Sequence, residues 1–243
     1  MCVLAFAWRP NSRWRLVVAG NRDELHARPA QTLARWDSPP HLLAGRDLLS
    51  GGTWMGVSEE SRFAVVTNVH GYGMPDPDLQ SRGALVVRLL SGQVPVVDAE
   101  LVARFNAVNV ISVEGDQASF FANRPASQHR SLEPGIYGLS NADLDAPWPK
   151  TLRLRSGVEQ WLADARTDTA ELLDLLAEGR ATPVDPLVKP ERSPLFIRNP
   201  VYGTRCSTVV LVDWDGQGTI VERSYSADAA ITGQTELSFN WRS

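Results

Sequence analysis

Strand-like and helix-like segments come in blocks along this chain, and that order constrains the fold more than any other feature. Val3 to Trp8 is a short apolar run closed by the turn Arg9-Pro10-Asn11-Ser12, and Arg15 to Ala19 is β-branched and apolar, so the two read as a hairpin. Residues 27 to 53, rich in Pro, Gly, Ser and Asp, read as long loops with short strands. Gly51 to Val57 and Phe63 to Asn68 are two more strands around the polar turn Ser58 to Ser61. A helix is predicted after Ser81, a capping candidate, because Leu85, Val86, Leu89 and Leu90 share one face; a second spans about Asp98 to Phe105. Strands return at Val108–Val113, Ala118–Ala122 and Gly135–Leu139. Helices follow at Lys150–Ala165, striped by Leu154, Val158, Trp161 and Leu162, and at Thr169–Glu178, where Asp168 with Glu171 resembles a capping box. After a Pro-rich loop over 183 to 200, Ser207–Val212 and Thr219–Ser224 form a final hairpin. No strict βαβ alternation exists, which argues against a doubly wound parallel sheet and for helices packed on largely antiparallel sheets, an α+β class.

The 243 residues show no obvious linker and no fixed repeat, so a single domain over 1–243 is expected. A hydrophobic fraction of 43% supports a large core. The formal charge of −4 argues against nucleic-acid binding by bulk electrostatics. Of the 24 basic residues only Lys150 and Lys189 are lysine, a bias that goes with a GC-rich bacterial genome. Met1 to Trp8 lacks the basic segment of a secretion signal, and no run approaches the ~18 apolar residues of a membrane span. With two cysteines, Cys2 and Cys206, there is neither a disulfide framework nor a zinc site. The expectation is a cytoplasmic, metal-independent protein without an integral membrane segment.

Two short segments carry chemistry. Cys2 directly follows the initiator, and a small second residue permits removal of Met1. The mature chain would then hold a thiol nucleophile and a free α-amine base on one residue. Taken alone, Met-Cys is better read as a small buried hydrophobe opening a strand. Asn21-Arg22-Asp23-Glu24 follows the second apolar strand, at the end adjoining Cys2 if the hairpin forms. An arginine there would favour the thiolate, and a carboxylate would hold a protonated amine. Without Cys2 beside it, the same run reads as a solvated charged turn.

Asn-Arg-Asp-Glu after Met-Cys resembles the NRDE family, also called the transport and Golgi organization 2 family. The likeness runs over nearly the whole chain: Gly51-Gly52-Thr53-Trp54-Met55-Gly56, Thr67-Asn68-Val69, Gly138-Leu139-Ser140-Asn141, Pro147-Trp148-Pro149-Lys150 and Tyr202-Gly203-Thr204-Arg205-Cys206-Ser207-Thr208. The family commonly has serine where this chain has Cys206, so no family role is placed on that thiol. The family in turn resembles N-terminal nucleophile hydrolases of the cysteine branch, which cleave bile-salt and penicillin amides. That likeness implies a four-layer αββα sandwich. It also implies Cys2 as nucleophile and base, Asp23 holding the amine, Arg22 favouring the thiolate, Asn141 as oxyanion donor, and Asn68 and Arg205 flanking the pocket. Asn21, Glu24, Trp54 and His70 join as candidate ligand-binding residues. By its residue type alone Asn141 reads as a turn or cap residue, and Arg205 reads equally as the partner of a carboxylate.

His26, His41, His70 and His129 show no metal-ligand spacing and read as loop histidines, although His26 and His70 adjoin the inferred site. Trp54 and Trp148 are candidates to wall a pocket for an apolar ligand. Two functional classes follow from the resemblance. One is a binding or trafficking protein for haem or an acyl-CoA or lipid, with haem as cargo and no cofactor required. The other is a hydrolase that opens an amide or thioester through Cys2. Fold alone does not choose between them.

Overall fold

The computed structural model describes residues 2–94 and 97–241. Thirteen strands, four α-helices and a 3-10 turn are described. The strands are β1 (Cys2–Trp8), β2 (Trp14–Leu25), β3 (Ala30–Arg35), β4 (Leu42–Asp47), β5 (Met55–Ser58), β6 (Arg62–Asn68), β7 (Val108–Glu114), β8 (Gln117–Ala122), β9 (Gln128–Ser131), β10 (Gly135–Leu139), β11 (Tyr202–Asp213), β12 (Gln217–Tyr225) and β13 (Ile231–Asn240). The helices are α1 (Arg82–Leu90), α2 (Ala99–Ala103), α3 (Pro149–Ala163) and α4 (Thr169–Leu176). One sheet has six strands in the order β10-β1-β2-β11-β12-β13, the other seven running in sequence from β3 to β9. Every pairing between these strands is antiparallel.

Side-chain alternation along the strands builds the layers. Leu4, Phe6, Trp8, Leu16 and Val18 of the first sheet meet Leu43, Met55, Val57, Phe63 and Val65 of the second in a core between the sheets. The opposite face of the first sheet carries Val3, Ala5, Ala7, Val17 and Ala19, covered by Leu154, Val158 and Trp161 of α3 and Leu172, Leu173 and Leu176 of α4. The outer face of the second sheet carries Leu42, Ala44, Ala64 and Val66, covered by Leu85, Val86 and Leu89 of α1 and by Leu101 and Val102 of α2. Helix, sheet, sheet, helix is the αββα order. Gly20 lets the two strands beside the thiol close tightly: a Cβ there would lie 2.9 Å from the Leu4 Cβ.

Several expectations are corrected. Asn21 to Glu24 lie within β2, which runs on to Leu25; Asn21 and Arg22 pair with β1 beside Cys2, as the hairpin implies, and all four pair with β11, so the alternative of a solvated turn does not hold. The hairpin at 207–224 is not the last, because β13 pairs along β12; its polar sequence, alternating without an apolar face, hides it. β9 is hidden for the same reason. It places His129 on a strand, stacked on Phe121. β5 begins only at Met55, after Gly51 adopts a positive φ. Ser81 sits at the N-cap of α1, yet its side chain makes no capping bond. At α4 Asp168 caps Ala170, while Glu171 pairs with Arg166 and does not close a capping box. Among the described residues no helix is long and apolar enough to cross a membrane.

Candidate active site

At one end of the sandwich the inner core turns polar. Cys2, Arg22, Cys206 and Ser224 face one another in successive register across β1, β2, β11 and β12. By strand alternation all four side chains follow the core-facing residues Leu4, Val18, Val210 and Ile220. Apolar pairs that close the sheets elsewhere are absent from this row, so the space between the sheets opens into a cleft of about 840 Å³. Cys2, Arg22, Asp23, Glu24, Trp54, Asn68 and Arg205 all line it.

The first strand presents Cys2 half-buried. Its carbonyl accepts the Ser140 hydroxyl at 2.6 Å, and its backbone N–H donates to Asn141 Oδ1 at 3.1 Å. Burial raises the thiol above its usual value; the Asp23 charge raises it further, and the backbone N–H of Asp23 and the Arg22 guanidinium oppose that shift. Arg22 lies 3.7 Å from Glu24 and 3.8 Å from Asp47, so its charge is shared between the thiol and two carboxylates.

Asp23 alternates to the opposite side of β2, where it is 3% exposed. Its Oδ1 accepts the Thr204 hydroxyl at 2.7 Å, and that hydroxyl also accepts the Ile197 N–H at 2.9 Å. The bulge in β11 between Thr204 and Cys206 makes this approach possible. Burial raises the Asp23 carboxyl, opposed by Lys150, Thr204 and Arg22. Lys150, at the first turn of α3, is 2% exposed and donates to Ser193 Oγ at 2.9 Å. Burial lowers its ammonium, while Asp23 and Cys2 hold it up.

Other candidates are placed differently. Asn21 faces the helix layer, fully buried. Its Nδ2 donates to the carbonyls of Leu176 and Leu195 at 2.8 and 2.9 Å, and its Oδ1 accepts Ser207 Oγ at 2.6 Å. The whole amide is therefore spent inside the fold. Asn141 is buried behind Cys2, and its Nδ2 donates to the Asn68 carbonyl at 2.8 Å. Among the described residues Arg205 pairs with no carboxylate: Nη1 donates to the carbonyls of Leu25 and Arg28, each at 2.9 Å. His70 is exposed, with its backbone N–H on the Asn141 carbonyl; His26 holds the Asn199 carbonyl. Neither His26, His70 nor Trp148 lines the cleft, whereas Trp54 does. Among the described residues no group of three or more His, Cys, Asp or Glu is placed to hold a metal ion.

Four side chains at the site were not singled out by sequence reasoning: Thr204, Lys150, Arg82 and Glu222. Lys150 left a signal, being one of two lysines in an arginine-rich chain. Glu222 left one too, since it falls on the same face of its strand as the core residue Ile220. Its carboxylate accepts the Leu33 N–H at 2.8 Å and the Cys206 thiol, and burial raises its pKa. Cys206 is held well above the usual thiol range, chiefly by burial and then by Glu222. No sequence signal marks Arg82.

The fold has solved counterparts. Two single-residue variants of conjugated bile acid hydrolase from Clostridium perfringens superpose with TM-scores of 0.52 and 0.53, each covering 100% of this chain and 97% of the other, at 8% and 9% identity. The architecture is that of the N-terminal nucleophile hydrolases, a likeness of fold at this identity. The sequence model of the Transport and Golgi organisation 2 family matches residues 1–227, and the chain belongs to that family. Curated relatives include the Transport and Golgi organization protein 2 homologs of Bos taurus, 34% identical, and Homo sapiens, 32% identical, each match covering 92% of this chain and 93% of the relative. The Drosophila melanogaster protein is 26% identical over 92% of each chain.

Proposed function

We propose that the cleft binds an acyl compound and that Cys2 attacks its amide or thioester carbonyl. The observation that carries this reading is the pairing of Cys2 with Arg22 at the cleft, with the buried Asp23 carboxylate on the other side of β2 close enough for its charge to act on the thiol. Met1 lies outside the described residues. With Met1 removed, the Cys2 nitrogen becomes an amine with Asn141 Oδ1 as an acceptor at 3.1 Å. The thiol then gives its proton to that amine, and the sulfur bonds to the carbonyl carbon. Collapse of the tetrahedral adduct breaks the bond to nitrogen or sulfur, and the ammonium protonates the leaving group. Water, deprotonated by the same amine, releases the acid and restores the thiol.

The test is mass spectrometry of the purified chain. A polypeptide starting at Cys2 that gains an acyl group from an S-acyl or N-acyl substrate, with no gain in Cys2→Ala, is expected. A retained Met1, or acylation surviving Cys2→Ala, would overturn the mechanism.

A second reading is carriage without turnover, of a small ligand such as haem or an acyl-CoA. It is favoured by the commitment of the Asn141 amide to Asn68, which draws that donor away from an oxyanion. Equal saturable binding by wild type and Cys2→Ala, with no acylation in either, would select it.

A further inference from the structure

The whole chain is acidic, at −4, yet its cleft is not. Five arginines line it: Arg22, Arg28, Arg46, Arg82 and Arg205. Four carboxyl groups, Asp23, Glu24, Asp47 and Glu222, share the lining, and burial pushes Asp23 and Glu222 toward the neutral form. The arginines also fall into two sets. Arg28 is paired with Asp47 at 2.7 Å, and Arg22 lies between Glu24 and Asp47. Arg46, Arg82 and Arg205 have no carboxylate in an ion pair among the described residues.

Two of these are anchored with donors to spare. Arg82 spends Nη1 on the Ala107 carbonyl at 3.2 Å, and Arg205 spends Nη1 on the carbonyls of Leu25 and Arg28. Backbone carbonyls orient a guanidinium without neutralising it, and a guanidinium has five N–H donors. Arg82 lines the same cleft as Cys2 and Glu24. Apolar surface adjoins them: Trp54, Val66, Leu49 and Leu79 line the same cleft. Its volume, about 840 Å³, matches the space a small organic ligand fills.

We infer that the cleft takes an amphipathic anion, whose phosphate or carboxylate is held by Arg82 and Arg205 while its apolar part lies against Trp54 and Leu79. Fork-shaped, charge-assisted donors suit either oxyanion. The inference rests on the reading that this cleft is the ligand site, and adds the charge of the ligand to it.

Isothermal titration of the full chain with octyl phosphate, octanoate, octyl glucoside and inorganic phosphate tests it. Octyl phosphate or octanoate should bind at least about 10-fold more tightly than octyl glucoside, the scale of one hydrogen bond to a charged group. The stronger of the two assigns the head group. Arg82→Gln and Arg205→Gln should each remove about 10-fold of that affinity while leaving octyl glucoside unchanged. The exposed Arg104→Gln should bind as wild type. Because each guanidinium also holds backbone carbonyls, wild-type salt dependence supplies a readout free of folding effects: affinity for the anion should fall as salt rises. Octyl glucoside binding as tightly as the anions, inorganic phosphate binding as tightly as octyl phosphate, or salt-independent affinity would each overturn the inference. The titration is repeated in Cys2→Ala, where binding needs no thiol. Anion binding without acylation would sink the hydrolytic reading alone; acylation without anion preference would sink this inference alone.

Discussion

Asn141 accepts the backbone N–H of Cys2 on Oδ1 at 3.1 Å and donates from Nδ2 to the Asn68 carbonyl at 2.8 Å. One buried amide thus ties the start of β1 to the end of β6, the two sheets that flank the cleft. Asn141→Ala leaves a carbonyl and an N–H without those partners, at a cost of about 2 kcal/mol in a buried setting. Asn141→Asp keeps the acceptor for Cys2 and sets an oxygen against the Asn68 carbonyl. It is expected to lose as much or more stability at neutral pH, and less in acid, where the protonated carboxyl donates again. Urea unfolding at pH 4 and pH 7 checks both; equal losses for Asp at the two pH values would contradict the donor role.

Burial sets the reactivity of the two thiols in order. Both stand above the usual thiol value, Cys206 well above it. Cys2 is half-buried, and Cys206 is 8% exposed with Glu222 against its sulfur. Native protein treated with iodoacetamide at pH 8 should therefore carry its first label at Cys2, with a rate still rising above the ordinary thiol value of about 8.5. Arg22→Gln removes a cation that favours the thiolate and should slow that label. Peptide mapping against time reads both outcomes. Cys206 labelling first, or a faster rate in Arg22→Gln, would contradict the arrangement.

Glu222 gives the fold an acid-side pH dependence. Its carboxyl is 6% exposed and burial raises its pKa. Between the ordinary glutamate value of about 4.3 and the raised folded value, the native state keeps a proton that the unfolded chain has lost. Bound protons are then more numerous in the folded state, so this group's contribution is full below that ordinary value and is lost as pH rises through the folded one. Glu222→Gln retains an oxygen for the Leu33 N–H and cannot ionise. Relative to wild type, the variant should gain stability as pH climbs from 4 to 7. Urea midpoints of the two proteins, taken as a difference, isolate the group; a difference that stays flat would exclude it.

The sequence disclosed the fold and the site unevenly, for physical reasons. Apolar runs such as Val3 to Trp8 and Phe63 to Val66 announced the buried strands, because their side chains fill the core between the sheets or under a helix. β9 and β13 have few buried side chains, so periodicity had nothing to read. Proximity of Cys2 to Arg22 and Asp23 was legible from one hairpin, since register in a short antiparallel pair follows from the turn. The direction of each side chain was not. Asn21 was set in the pocket beside its neighbours, although strand alternation turns it to the helix layer to hold Leu176 and Leu195. Arg82 reaches the site from α1, a helix read only for its apolar face, across a distance in sequence that no local pattern spans.

Lys150 offers the sharpest probe of the region behind the thiol. An ammonium 2% exposed is costly, and it is retained beside Asp23, whose charge it steadies. Lys150→Met removes the cation and its bond to Ser193, leaving Asp23 with less to offset its burial. At pH 7 the variant should be less stable by about 1–3 kcal/mol, the range for a buried polar group deprived of its partner. The pH dependence carries the more specific sign. Burial lowers the folded lysine below its ordinary value of about 10.4, so between those two values the unfolded chain binds more protons than the native one. Wild-type stability therefore gains a rising component as pH increases through that window, which methionine cannot supply. The gap between wild type and Lys150→Met should widen from pH 8 toward pH 10, read as the difference of their urea midpoints. Lys150→Arg, which stays charged throughout, should lack the rise as well. A constant gap for methionine, or a rise preserved in arginine, would remove Lys150 from the electrostatics of Asp23 and leave it a packing residue of α3.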